Sequence, residues 1–226
     1  MARLRTPKER QAAPLPGFKL AHPMISADGK RGGFSGVSLG RARVYGVVAD
    51  AECAQGASHD SPSRWCDCGF YCLHSVDDAL ALTCDPDYRH AVLLEVFASG
   101  RFIRYERGLR YARQRVVKVR VGRCGCGHAA TLFADTGGGS VGWRRLVPTC
   151  PGCAGGRPLL SFDTFARLLD GTPVVADHTG IVENPDLDDL DESTLVPLLT
   201  AEVTLLQARL DAVQRELARL TQPRQG

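Results

Sequence analysis

Apolar positions along this chain follow two periods. Val117, Val119 and Val121 alternate with Lys118 and Arg120, which predicts a strand with one buried face. Residues 41–48 (RARVYGVV) also have strand character. In 90–106, the runs AVLLEVFA and RFIRYE flank Ser99-Gly100, which predicts a hairpin turning at that pair. Helical signals are shorter. Residues 75–82 (SVDDALAL) read as a helix capped by Ser75, with Asp78 at the capping-box position and Asp77 and Asp78 in the positive first turn. Residues 161–170 (SFDTFARLLD) read as a second helix, capped by Ser161 and stopped by Gly171. Over 194–221, Val196, Leu199, Val203, Leu206, Leu210, Val213, Leu217 and Leu220 are spaced alternately three and four apart. That seam predicts a coiled-coil helix pairing with itself or with a protein partner through 196–220. The extra apolar Leu205 also allows it to pack back on its own domain.

These elements imply an α+β protein in five parts. Residues 1–16 are a flexible basic tail, and 17–122 form a mixed α and β domain. Residues 123–181 hold a zinc-ribbon hairpin and a short helix, 182–193 (VENPDLDDLDES) an acidic linker, and 194–221 the coiled-coil helix.

Composition narrows the class. The chain has 226 residues, 44% hydrophobic and 23% charged, enough for a real core and unlike a disordered segment. The net charge of +3 is too small to mark a committed electrostatic binder. No apolar run reaches the roughly 18–20 residues of a membrane span. Residues 1–20 are basic, without the apolar centre or cleavage site of a secretory signal, so a cytoplasmic location is expected. In a reducing compartment, nine cysteines partly clustered in C-x-C and C-x-x-C pairs point to metal rather than disulfides.

The stretch 123–154 reads RCGCGHAATLFADTGGGSVGWRRLVPTCPGCA. Cys124 and Cys126, with Cys150 and Cys153, bracket a hairpin whose expected arms are 129–135 and 141–147 and whose expected turn is 136–140. Zinc takes four thiolate or imidazole ligands in a tetrahedron. Gly125, Gly127, Pro151 and Gly152 permit the sharp turns that let each close pair supply two of them. The segment resembles the zinc-ribbon fold group, which implies a structural zinc. It departs from the commoner pattern in its C-x-C first pair, leaving His128 as an alternative to Cys124. Pro148 to Cys153 superficially resembles the second half of a nucleobase-deaminase motif. Ala129 and Ala130 follow His128, however, and no glutamate is placed to move protons.

A second zinc is expected at Cys53, His59, Cys66 and Cys68, because Gly69 after C-x-C repeats the C-x-C-G of 124–127. Cys72 and His74 lie just beyond, in and after an apolar run, and Cys84 follows the first helix. The run CDCGFY, a helix and a VLLEV hairpin resemble uncharacterised bacterial proteins sharing a C-x-C-G-aromatic-Tyr element. The same Gly-aromatic-Tyr and VLLEV pieces resemble parts of ADP-ribosyltransferase-like folds. That resemblance implies an alternative: an enzyme with its site in 17–121, drawing on His59, Asp60, Ser61, Tyr71, His74 and His90. No completed catalytic set is legible.

Between 101 and 123, nine basic residues meet one acid, with Phe102, Tyr105 and Tyr111 interleaved. Arg104, Arg107, Arg110, Arg113, Arg115, Lys118 and Arg120 are the candidate nucleic-acid contacts, through phosphate forks and base stacking. The competing reading is a solvated or self-paired strand face. The leading expectation is a zinc-stabilised binding or adaptor protein that contacts nucleic acid through this segment.

Overall fold

The first strand starts where the basic tail was expected to end. β1 (Leu15–Ser26) pairs along its first half with β6 (Val92–Arg104) and along its second half with β2 (Gly32–Gly36). The computed structural model describes residues 13–37, 43–53, 59–84, 88 and 90–177. The coiled-coil stretch 194–221, the linker 182–193 and residues 1–12 of the tail lie outside the described residues.

The described residues form one antiparallel-dominated sheet of eleven strands. β3 (Val44–Tyr45) extends β2, and β4 (Val48–Asp50) and β5 (Phe70–Leu73) both pair with β7 (Gly108–Val121). β5 also bridges to β1 through Phe18 and Leu73, so the pairings β1–β6–β7–β5–β1 close on themselves. β8 (Leu132–Ser140) and β9 (Trp143–Thr149) make a second hairpin, which joins β1 through Met24–Arg145 and its neighbours. β10 (Leu159–Ser161) flanks β8, and β11 (Val174–Ala176) adds to β7 as a parallel pair.

The α+β expectation is overturned: among the described residues the α-helices are only α1 (Val76–Ala81) and α2 (Phe162–Leu168). Their caps are as read from sequence. Ser75 Oγ accepts from Asp77 N at 3.1 Å, and Ser161 Oγ accepts from Thr164 N at 3.1 Å. What hid the sheet is burial on both faces. Residues 20–26 of β1 are all buried, so period-two alternation vanishes from the sequence there.

Two hairpins turn later than expected. β6 runs through Ser99-Gly100 with an irregularity there, and the chain reverses at 105–107, where Tyr105 N donates to Gly108 O at 2.8 Å. In the ribbon segment the glycine run lies inside β8, and the turn falls at Val141-Gly142. A core of Phe34, Phe133, Phe165, Leu146 and Leu169 ties this hairpin and α2 to the sheet, with Phe133 and Phe165 ring centres 5.0 Å apart. Among the described residues no helix is long and apolar enough to cross a membrane.

Gly108 marks the tightest approach of β5 to β7, since a β-carbon there would lie 2.3 Å from Cys72 O. Gly108→Ala is expected to cost at least about 1–3 kcal/mol in chemical denaturation. Gly138→Ala, with nothing within 4 Å of the added carbon, should stay within about 0.5 kcal/mol of the parent.

Candidate metal centres

The sheet leaves two stretches with little ladder pairing, and each carries one cysteine cluster. In the first, β4 releases the chain at Asp50, and the described residues 51–53 and 59–69 contain turns and bends and no strand. Cys53, His59, Cys66 and Cys68 converge there, with all four ligand atoms within 4.8 Å of one another. Cys53 Sγ lies 3.6 Å from Cys66 Sγ, and His59 Nε2 lies 3.2 Å from Cys68 Sγ.

The second cluster closes the base of the β8–β9 hairpin. Cys124 and Cys126 precede β8, and Cys150 and Cys153 follow β9, again within 4.8 Å of one another. Cys153 N donates to Cys150 O at 3.1 Å across the Pro151-Gly152 turn, and Gly127 N donates to Cys124 O at 2.9 Å across the C-x-C turn. Gly127 has φ +83°, a left-handed conformation that a side chain resists. Cys126 Sγ sits 3.6 Å from Cys150 Sγ and 3.4 Å from His128 Nδ1. The four sulfurs make a complete set without His128, which lies against an outer sulfur.

Both clusters could hold a metal such as zinc, and the donor chemistry fits. A tetrahedral site with Zn–S bonds of about 2.3 Å puts its sulfurs about 3.8 Å apart. The observed 3.6 Å spacings are near that edge, whereas a disulfide needs about 2.05 Å. Cys53, Cys66, Cys68, Cys72, Cys124, Cys126, Cys150 and Cys153 are not joined in disulfides. Burial opposes ionisation of Cys124, yet the backbone N–H groups of Cys126 and Cys150 outweigh it and draw the thiol down to about 6. Cys153 keeps its proton by donating it to the sulfurs of Cys126, Cys150 and Cys124, which pushes the thiol up to about 12. The four sulfurs thus share protons as a group, and a cation could take the place of those protons.

Cys72 belongs to neither cluster. It is buried on β5, against Gly17.

One first-cluster contributor was assigned elsewhere by the sequence. Arg110, a candidate nucleic-acid contact, is only 4% exposed and faces the first cluster loop. Its guanidinium donates to Cys66 O at 2.6 Å, Ser63 O at 2.9 Å and Tyr71 Oη at 3.3 Å, and lies 3.8 Å from Asp67. Its position opposite Tyr71 in the β5–β7 register places it there, a pairing that sequence spacing cannot reveal.

The other candidates scatter along β6, β7 and the turn between them, and four of them meet acids of the same chain. Arg107 pairs with Asp78, and Arg113 with Asp50 at 3.3 Å. Lys118 lies 3.7 Å from Glu95, and Arg120 lies 2.6 Å from Glu95 and 3.1 Å from Asp177. Arg104 stacks over Phe102, and Arg115 is exposed on β7.

The groups considered for an enzyme do not converge. His59 is in the first cluster, and Asp60 pairs with Arg101 at 2.8 Å. His74 Nε2 lies 3.4 Å from Tyr105 O. His90 lies instead near Gly125 of the second cluster.

No protein-family model matches the chain, and no curated protein and no solved structure matches it.

Arg110→Ala strands two loop carbonyls and removes a nearly buried cation. It should destabilise the fold by about 2–4 kcal/mol and weaken metal retention at the first cluster. Chelator competition on this variant should show one metal lost early and the second lost as in the parent.

Proposed function

We propose that this chain is a zinc-stapled binding protein, with two structural zinc ions that fold its two least regular segments. The observation that carries this reading is the pair of four-ligand Cys/His clusters, each with its donor atoms within 4.8 Å. Cys124, Cys126, Cys150 and Cys153 would hold one ion, and Cys53, His59, Cys66 and Cys68 the other. Four protein ligands fill a tetrahedral zinc and leave no position for water, so the metal's role is structural. The spacing of the second set, at the base of an antiparallel hairpin, supports the ribbon reading. The first set makes a loop that has no core of its own into a fixed wall beside β5.

Nucleic acid gains no support as the ligand. Most of the arginines in 101–123 make contacts within the chain, and Arg110 is turned inward.

Native mass spectrometry of protein purified without a histidine tag should show two zincs per chain. Cys66→Ser with Cys68→Ser should leave one, and so should Cys124→Ser with Cys126→Ser. Retention of two zincs in either double variant, or none in the parent, overturns the assignment.

Structural zinc in small peptide sites contributes on the order of 10–16 kcal/mol, comparable with the whole stability of about 5–15 kcal/mol of a typical domain. Chelation should therefore unfold at least the hairpin base, seen as lost near-ultraviolet circular dichroism.

A further inference from the structure

A cleft of about 1430 Å³ opens beside the first metal cluster. Cys66, Asp67, Cys68 and Gly69 wall one side of it, and Phe18, Leu20, Val37, Phe70 and Leu73 give it an apolar lining. It is lined by three cations, Lys19, Arg43 and Arg107, and three carboxylates, Asp50, Glu52 and Asp67, and all but Lys19 have an opposite charge beside them. Arg43 pairs with Glu52, Arg107 with Asp78, Asp50 with Arg113, and Asp67 faces Arg110. Lys19, on β1, lines the cleft and has no carboxylate partner among the described residues.

The surroundings of Lys19 are unusual for an ammonium. Its Nζ sits 4.8 Å from the Tyr45 ring centre and 5.0 Å from that of Phe70, and donates to Gln114 Oε1 at 3.4 Å. The two rings offset part of the desolvation cost, as cation–π contacts do, but supply no counter-charge. Behind it, the Tyr45 hydroxyl and the Gln114 amide nitrogen are buried and make no hydrogen bond of good geometry. Burial pulls the Lys19 ammonium down to about 8, while Cys72, its thiol pushed up to about 11 by burial, is uncharged at neutral pH. A lone cation kept in an apolar cleft costs stability until an anion reaches it.

We infer that this cleft binds a small monoanionic amphiphile, with its carboxylate on Lys19 and its apolar body along the Phe18, Leu20 and Phe70 side. A single carboxylate would give Lys19 the counter-charge that no carboxylate among the described residues supplies. The aromatic and aliphatic walls suit a hydrocarbon chain or ring better than a polar ligand. The first metal cluster would hold one wall in place, so the inference adds a ligand class to the binding-protein reading.

Decanoate, 1-decanol and decyltrimethylammonium share one chain length and differ in headgroup charge. Calorimetric titration of the full zinc-loaded chain, below the micellar range, should show decanoate binding at least tenfold tighter than the other two. Lys19→Met should bring decanoate to the level of decanol, and Lys19→Arg should restore the preference. The same Lys19→Met chain, without ligand, should melt at a higher temperature than the parent, because it no longer holds an unpaired cation. Equal binding of decanoate and decanol by the parent, absence of decanoate binding, or an unchanged preference in Lys19→Met overturns the inference.

Zinc content measured on the same samples separates the two readings. Two zincs without a decanoate preference sinks the ligand alone. A decanoate preference in a chain that carries no zinc sinks the metal alone.

Discussion

Four sulfurs crowded within 4.8 Å cannot all ionise beside one another unless a cation sits among them. That electrostatic constraint applies at the hairpin base, where one cysteine pair precedes β8 and the other follows β9. It recurs at the first cluster, where an imidazole replaces one thiolate. The sheet supplies hydrogen-bond partners and apolar contacts nearly everywhere else. In these two places backbone ladders are sparse, and the side chains brought together are soft metal donors. A metal at each cluster would complement the sheet by organising the chain where ladder pairing is sparse.

β7 carries much of the arrangement between them. One end holds Arg110 under the first cluster loop, and the other pairs with β6 and β11 next to the second cluster. The basic residues along it are spread over several tasks within the chain. Arg113 pairs with Asp50, Arg120 with Glu95 and Asp177, and Arg110 caps two carbonyls. A segment that looks like an electrostatic surface in one dimension becomes mostly internal charge balance in three. Lys19 stands apart because its side chain enters the cleft without a carboxylate. The same sheet closure that buries it, β1 against β5 and β6, also leaves the space beside it.

Local chemistry was legible where it depended on neighbours in sequence. Ser75 and Ser161 cap their helices because an N-cap needs only a hydroxyl and the next two or three N–H groups. The cysteine pairs were legible because turn residues stand between or beside them. Elements whose character depends on distant partners were not. The Ser99-Gly100 pair looks like a turn, yet β7 continues to pair past it as far as Arg104 and Leu109. The glycines of β8 look like a loop, but Gly139 pairs with Arg144 of β9.

The sequence by itself determined which side chains could serve as donors: eight Cys and His residues in two groups, with the glycines and prolines that let close pairs turn. Ligand chemistry and turn chemistry are local, so no fold was needed to read them. Only the tertiary structure decided the mostly antiparallel character of the sheet, the inward turn of Arg110 and the unpaired charge of Lys19. Each depends on which strand lies opposite which. That register is set by long-range hydrogen bonding and two-sided burial, which erase the alternation that would have announced it.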